Sequence, residues 1–258
     1  MPAQWTPRTA YLSSKYATAT FVGGARFQLQ QPIAIPDEYE LYVSVVSASI
    51  PFSFYSIPAS VVTYTINGST VNLSIPAGNW SASDLCGYLT DSNVSTIYTT
   101  QTGFFTMSSQ TAITLSASNL FGINTPTTGT SITSTVIPDI AGTRFINILT
   151  NLGTDFIGAG SVPNAPVLAS IPVSVGPNYL NTYLPGVTPR LRIKSNSINA
   201  LQVHLTDDDL NPLNLNGGQW AMTLYFEISP GPDTPAMFSE APKGMNLFEA
   251  TRNYRSKN

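Results

Sequence analysis

The sequence predicts an all-β fold, a sandwich of two antiparallel sheets, and the last third of the chain gives the clearest indications. In residues 201–205, apolar and polar side chains alternate strictly, which is typical of a strand with one exposed face. Residues 220–226 are apolar at nearly every position, which indicates a strand that is covered on both faces. Turn-forming residues lie between the two runs, at residues 207–209, 211–212 and 217–218. We therefore expect residues 201–228 to form a long antiparallel hairpin whose second strand is central and buried.

Other strands are predicted where β-rich or alternating runs are bounded by Gly, Pro or Asp. Outside residues 61–124 they cover residues 11–20, 26–30, 41–50, 144–149, 167–173 and 190–194, besides 201–205 and 220–226. Turns are predicted at residues 23–24 and 37–38, a linker or mobile loop at 125–135, a loop at 153–164 and a long connection at 178–189. Residues 1–10 are expected to be irregular, with Trp5 placed either on a neighbouring subunit or back on its own sandwich.

Residues 61–124 have a different texture and predict a small α+β insertion. Asn67-Gly68 between two strand-like runs is the strongest short hairpin signal. A short helix follows, capped by Ser81 or Ser83, with Asp84 in its first turn. The apolar positions of this helix are Leu85, Cys86, Tyr88 and Leu89, and further strands are expected at residues 95–100, 104–107 and 112–115. The alternative is that these strands belong to the sandwich and no second domain exists.

The predicted organisation has four parts. Residues 1–60 form the first half of the sandwich with an N-terminal arm, and residues 61–124 form the inserted domain. Residues 125–230 form the second half of the sandwich, and residues 231–258 form a C-terminal arm with apolar and basic residues. This arm is expected to contact a neighbouring protein; a solvated tail is the simpler alternative, and its few basic residues make nucleic-acid binding unlikely.

Charged residues are scarce, at 10% of the 258-residue chain, whereas an ordinary soluble domain has about 25%. Between residues 41 and 138 the only charged side chains are Asp84 and Asp91. A surface of Ser, Thr, Asn and Gln can be desolvated without leaving buried charges unpaired, which favours a protein whose surface becomes interface. The alternative is an extracellular type of β-domain.

No enzymatic, cofactor or metal site is predicted. One cysteine, Cys86, and one histidine, His204, allow neither a disulfide framework nor a Cys/His zinc site. His204 is expected to face solvent and Cys86 to pack as a small core residue. Residues 207–209 are three aspartates but lack the spacing of a calcium loop, so a turn is expected. Residues 1–10 hold no apolar run of the length that a signal peptide core needs, and no run of about 18 apolar residues that could span a membrane is present.

Two sets of residues resemble the penton proteins, the minor capsid proteins of viruses with double-jelly-roll major capsid proteins, such as virophages, polinton-like viruses and some large DNA viruses. Near the end of the chain the pattern is L-T-D, N-P-L-x-L-N-G and W-x-x-T-L-x-F, at residues 205–207, 211–217 and 220–226. Near the start, F-x-L-x-x-P-I-x-I-P covers residues 27–36 and I-P-x-S-F-Y covers residues 50–55. The resemblance selects a jelly roll from among the sandwich topologies, which the periodicity leaves open.

The resemblance implies a structural capsid protein of the virion, assembled inside the host cell. Five copies would form a homopentamer at the fivefold vertex of an icosahedral shell, in contact with the major capsid protein and other minor capsid proteins. The insertion would project outward, where it could contact a host receptor or glycan. Two other hypotheses are a carbohydrate-binding β-sandwich that uses aromatic residues such as Trp80 and Tyr88, and a trimeric phage-type spike or tail protein.

Overall fold

The structure is a computed structural model that describes residues 7–35, 39–152, 167–187, 189–195 and 197–230. The predictions for Trp5, residues 37–38, residues 153–164 and the arm at residues 231–258 lie outside these ranges. The strands in chain order are β1 (Arg8–Ser13), β2 (Ala19–Phe21), β3 (Gly24–Ala34), β4 (Tyr39–Pro51), β5 (Ser60–Ile66), β6 (Ser69–Ile75), β7 (Val94–Thr99), β8 (Phe104–Leu115), β9 (Thr127–Thr133), β10 (Phe145–Thr150), β11 (Val167–Pro172), β12 (Leu180–Tyr183), β13 (Leu191–Ile193), β14 (Ser197–Thr206) and β15 (Ala221–Pro230). The helix α1 covers Ala82–Tyr88, and a 3-10 turn covers Ser14–Tyr16.

Ten strands form a sandwich of two five-stranded sheets. Sheet 1 has the order β1-β15-β4-β12, with β13 also paired to β4. Sheet 2 has the order β11-β10-β14-β3-β2. Without the short β2 and β13, the sandwich has eight strands that pair in a nested way. The pairs are β1 with β15, β3 with β14, β4 with β12 and β10 with β11, and all are antiparallel. This nested pairing is the strand order of a jelly roll, so the predicted all-β jelly-roll sandwich is confirmed.

The space between the two sheets is filled by apolar side chains at alternating strand positions, because successive side chains of a strand point to opposite faces. Leu201, Val203 and Leu205 of β14 are buried as predicted, while Gln202 and His204 on its other face are partly exposed. The other large contributors to this core include Phe27, Ile33, Leu41, Val43, Val45, Ile50, Phe54, Ile146, Ile148, Ile171, Met222, Leu224 and Phe226.

Two predictions about residues 201–228 are wrong. These residues do not form a hairpin, because β14 belongs to sheet 2 and β15 to sheet 1. Residues 207–220 therefore cross between the sheets. The strand β15 is internal in its sheet but is sealed on one face only, with Met222, Leu224 and Phe226 buried. On its other face Ala221, Thr223 and Tyr225 are half-buried. The side chains on this face are small or carry a hydroxyl group, so partial exposure is tolerated. In the sequence, however, the same side chains make the run look apolar throughout.

A third antiparallel sheet lies between β4 and β10 in the chain. Its order is β6-β5-β8-β7, with β9 also paired to β8, and α1 packs near its buried face. This sheet has its own hydrophobic cluster, separate from the sandwich core, with Tyr64, Leu85, Phe105, Met107 and Phe121 among its largest buried members. The predicted hairpin turn is confirmed, with Asn67 and Gly68 both at positive φ, 48° and 77°.

The helix α1 begins as predicted. The Ser81 hydroxyl accepts a hydrogen bond from the backbone N–H of Asp84, whose carboxylate accepts one from the backbone N–H of Ser81. This reciprocal arrangement is a capping box, and it satisfies two backbone donors that would otherwise lack partners.

Four segments differ from the predictions. Residues 104–107 and 112–115 belong to one long strand, β8, with an irregularity between Ser108 and Ile113. Residues 125–135 are not a linker, since β9 lies within them. Residues 178–189 contain the strand β12, and residues 1–10, which were expected to be irregular, contain the first half of β1.

Candidate interaction surfaces

The three aspartates at residues 207–209 form a turn that is fastened to the start of β10. Both carboxylate oxygens of Asp208 accept backbone hydrogen bonds, from Arg144 at 2.7 Å and Phe145 at 3.0 Å. The Asp207 carboxylate accepts two further backbone N–H groups of its own loop, at 2.9 and 2.8 Å. These carboxylates therefore hold the backbone in place, as expected for a turn and not for a calcium loop.

The residues after this turn shape the crossover from sheet 2 to sheet 1. Leu213 and Leu215 are buried in the sandwich core. Asn216 and Gly217 both have positive φ, 49° and 82°, and reverse the chain before β15. The Asn216 side-chain amide donates to the backbone carbonyl of Ser53 at 2.7 Å, which ties the crossover to the end of β4. The N-P-L-x-L-N-G pattern thus has a structural role in this chain.

An open groove of about 930 Å³ lies where the sandwich meets the third sheet. It is lined by the segment after β4, by the loop before β10 and by the turn at residues 207–209. The charged groups that line it are Asp139, Arg144 and those three aspartates, and Asp139 is 3.9 Å from Arg144 in an exposed ion pair. No His or Cys is among its lining residues, and two of the aspartates already bind backbone.

His204 and Cys86 lie far apart in the fold and do not form a joint site. The His204 ring is partly covered by Phe21, with ring centroids 4.8 Å apart, and burial lowers its pKa. A side chain on Gly24, its partner in β3, would overlap the Phe21 ring, so the glycine makes this contact possible. Cys86 is half-buried against the core of the third sheet, and burial raises the pKa of its thiol. A raised pKa disfavours the reactive thiolate.

Trp80 and Tyr88, the predicted candidates for glycan contact, pack on each other with ring centroids 4.8 Å apart. The Trp80 indole N–H donates to the carbonyl of Pro76 at 2.8 Å, and Gly78 lies directly against the ring. Trp80 is therefore only partly exposed, and Tyr88 is 36% exposed.

A partly buried hydrogen-bond network joins β5 to the loop after α1. The fully buried Tyr64 donates its hydroxyl to the Asp91 carboxylate at 2.6 Å and accepts from the Asn93 amide at 3.2 Å. Burial and the bond to Asp91 raise the pKa of Tyr64. For Asp91, burial alone would raise the pKa, but the hydrogen bonds from Tyr64 and from two backbone N–H groups lower it overall. The aspartate is thus held in its ionised form.

The outer face of the third sheet is uncharged and carries hydroxyl and amide groups, with Val61 and Ile97 exposed among them. Between residues 41 and 138 the only charged residues are Asp84 and Asp91. Asp84 lies on α1 and Asp91 lies in the loop that follows, so neither is on a strand of this sheet. Hydroxyl and amide side chains pair across neighbouring strands at 2.8–3.4 Å. These pairs are Thr63–Asn72, Thr106–Thr133, Ser108–Ser131 and Thr114–Thr128.

The outer face of sheet 1 carries two ion pairs, and it is the second group of charged side chains besides the groove. Arg192 of β13 is 2.7 Å from Glu40 of β4, and Arg190 is 3.2 Å from Glu227 of β15. The Arg190 guanidinium also lies over the Tyr42 ring, 4.7 Å from its centroid. Tyr42 donates to Glu40 at 2.7 Å, and this bond is the main reason why the pKa of Tyr42 is raised. The network attaches the short β13 to sheet 1.

The most exposed apolar segment among the described residues was not predicted as a site. Around β12, the side chains of Tyr179, Leu180, Leu184 and Val187 are all more than half exposed. The sequence does contain a signal that could have predicted this surface. No charged residue occurs from residue 156 to residue 189, in a stretch that is rich in apolar side chains. Within the described ranges, no helix is long and apolar enough to cross a bilayer, and no group of three acidic, His or Cys side chains is placed to hold a metal.

No family model matches the chain, and no curated protein matches it. Among solved structures the chain is similar to the penton protein of mavirus, with 11% sequence identity and a TM-score of 0.49. The match covers 87% of this chain and 100% of the mavirus chain. The jelly-roll assignment depends on the strand order of the two sheets and not on this similarity.

Proposed function

We propose that the protein is a structural capsid protein, a penton that occupies the fivefold vertex of an icosahedral virion as a homopentamer. The observation that carries the proposal is the nested jelly-roll strand order, which the penton-like residues imply and which strand periodicity does not define. The function is not enzymatic. The partners are four further copies of the chain, the major capsid protein and other minor capsid proteins.

The penton-like residues support the proposal through the parts of the fold that they build. The pattern at residues 27–36 covers most of β3 and the one at residues 50–55 covers the end of β4, while residues 205–226 contain the crossover and the first six residues of β15. Ser53 and Asn216, which belong to different patterns, are joined by a hydrogen bond. The patterns therefore describe one connected part of the sandwich and not scattered similarities.

The third sheet and α1 form a domain inserted between β4 and β10. Its separate hydrophobic cluster supports this division, and the predicted range of residues 61–124 contains all of its elements except β9. The domain projects from the shell and presents its uncharged hydroxyl face outward, where a receptor or glycan of the host would meet it.

Assembly is the test. Size-exclusion chromatography with light scattering should give a particle of five times the 27.6 kDa chain mass, and the mass should fall on dilution. When the protein is expressed together with the major capsid protein, cryo-electron microscopy should place its density at the fivefold positions. A stable trimer would instead support the spike hypothesis. A monomer that binds a glycan array and is absent from capsids would support the carbohydrate-binding hypothesis.

A further inference from the structure

Two apolar surfaces lie on opposite edges of the sandwich, and the first surrounds β12. Tyr179 is 69% exposed, Leu180 57%, Leu184 73% and Val187 86%. The strand β12 ends the order of sheet 1, so that its outer backbone edge has no strand beside it among the described residues. We call residues 179–187 the apolar edge segment. It contains no charged residue, so no ion has to be desolvated when it is covered.

The second surface is a groove of about 660 Å³ between β1 and β3, at the other edge of the sandwich. Phe27, Leu29 and Ile33 of β3 contribute the apolar lining, and Tyr11 and Tyr16, which are 68% and 73% exposed, stand beside it. Beyond residue 26, β3 has no strand on its outer side within the part of the chain that the structure describes. We call this surface the edge groove. Arg8 is its only charged lining residue.

The positions of the two surfaces indicate what covers them. The strand β1 is at one end of the order of sheet 1, and β12 is at the other. Two unlike surfaces on opposite edges of one body can form a head-to-tail contact between copies, and this contact builds a ring where its rotation closes, as the proposed pentamer requires. A single patch that pairs with itself would give a two-fold dimer. Exposed tyrosines beside an apolar groove, with little charge in either surface, are typical of the centre of a protein interface.

We infer that the apolar edge segment of one copy docks into the edge groove of the next copy around the ring. This inference rests on the proposed pentamer and names the surfaces that form it. Docking covers the side chains of Leu180, Leu184 and Val187, and the neighbour's Tyr11 and Tyr16 close over them. It also removes two unpaired strand edges from solvent, which are otherwise a hazard for aggregation.

The test uses the full chain and four variants at exposed positions. Leu184→Asp disables the segment, and Tyr11→Asp disables the groove without removing a core side chain. Ile137→Asp is the matched control, because Ile137 is 75% exposed but lies in the connection between β9 and β10, on neither surface. Circular dichroism melting verifies that each variant is folded, and Val187→Asp provides a second disruption of the segment.

Light scattering should give the pentamer mass for the wild type and for Ile137→Asp, and the monomer mass for Leu184→Asp, Val187→Asp and Tyr11→Asp. When Leu184→Asp and Tyr11→Asp are mixed, the intact groove of the first meets the intact segment of the second. The mixture should therefore give one-to-one pairs that grow no further.

The outcomes separate the two proposals. A wild type that does not form a pentamer contradicts the proposed function. A wild-type pentamer whose ring survives all three edge substitutions contradicts the docking inference alone. Variants that are monomers separately but do not pair when mixed show that the two surfaces do not contact each other, and this result also overturns the inference.

Discussion

Removal of the Tyr64 hydroxyl tests the partly buried network in the third sheet. Tyr64→Phe keeps the ring in the core but deletes the bond to the Asp91 carboxylate at 2.6 Å and the bond from Asn93 at 3.2 Å. A hydrogen bond to a charged group contributes about 1.5–3 kcal/mol, and Asp91 keeps two backbone donors. We therefore expect Tyr64→Phe to lower the free energy of unfolding by about 2 kcal/mol at pH 7.

This loss should depend on pH. Burial opposes ionisation of Asp91, but the hydrogen bonds prevail, so its pKa is lower in the folded chain than in the unfolded chain. A carboxyl group of this kind stabilises the fold above its unfolded pKa, about 3.9, and the stabilisation disappears as the pH falls through the folded pKa. The difference between wild type and Tyr64→Phe should therefore shrink below about pH 4, toward the roughly 1 kcal/mol of a neutral bond.

The assay is urea unfolding followed by tryptophan fluorescence, in a series of buffers from neutral to acidic pH. Tyr98→Phe is the control, because Tyr98 packs in the same cluster, 5.1 Å from the Phe105 ring, while its hydroxyl has no hydrogen bond to a described residue. The control should change stability by less than about 0.5 kcal/mol. A Tyr64→Phe effect that equals the control, or that stays constant down to acidic pH, would refute the account of the network.

Three further substitutions test local features by thermal and urea unfolding. Ser81→Ala removes the cap of α1 and should cost about 1 kcal/mol, and an unchanged midpoint would show that the capping box does not stabilise the helix. Gly142→Ala should destabilise the fold by at least about 1–3 kcal/mol, because Gly142 has φ +66° and an added Cβ would meet the backbone of Ser56. Thr206→Val should be neutral or stabilising by about 1 kcal/mol, because the Thr206 hydroxyl is buried without a hydrogen bond to the described protein, and a clear loss of stability would reveal a partner.

The predictions that held depend on signals contained in a few neighbouring residues. Alternation in residues 201–205 gives the buried face of β14 because the core covers only one side of sheet 2. Asn67-Gly68 fixes its turn because both residues must adopt positive φ. The hairpin of residues 201–228 failed because the choice of a pairing partner is not a local property. The two runs are neighbours in the sequence, but β14 pairs with β3 and β10, whereas β15 pairs with β1 and β4.

The strands that were missed have no useful periodicity. In β12, the buried inward position is Asn181, where alternation would require an apolar side chain. In β9, only Ile132 is buried, and the rest of the strand is Thr, Ser and Gly. Such a segment is a strand because β8 supplies its backbone partners and a matching hydroxyl face. Neither condition can be inferred from the segment itself, whose composition is that of a loop.

The distribution of charge connects the fold with the proposed assembly. Arginine and glutamate side chains are present on this surface, but they meet each other on the outer face of sheet 1, where they attach β13. The apolar edge segment has no charge, and the edge groove has one charged lining residue. General solubility would favour charges spread over the whole surface. Charges kept to one sheet face and to the groove beside the third sheet, with apolar groups on two opposite edges, are instead what a subunit needs when its edges are covered in a ring and the rest of its surface remains in water.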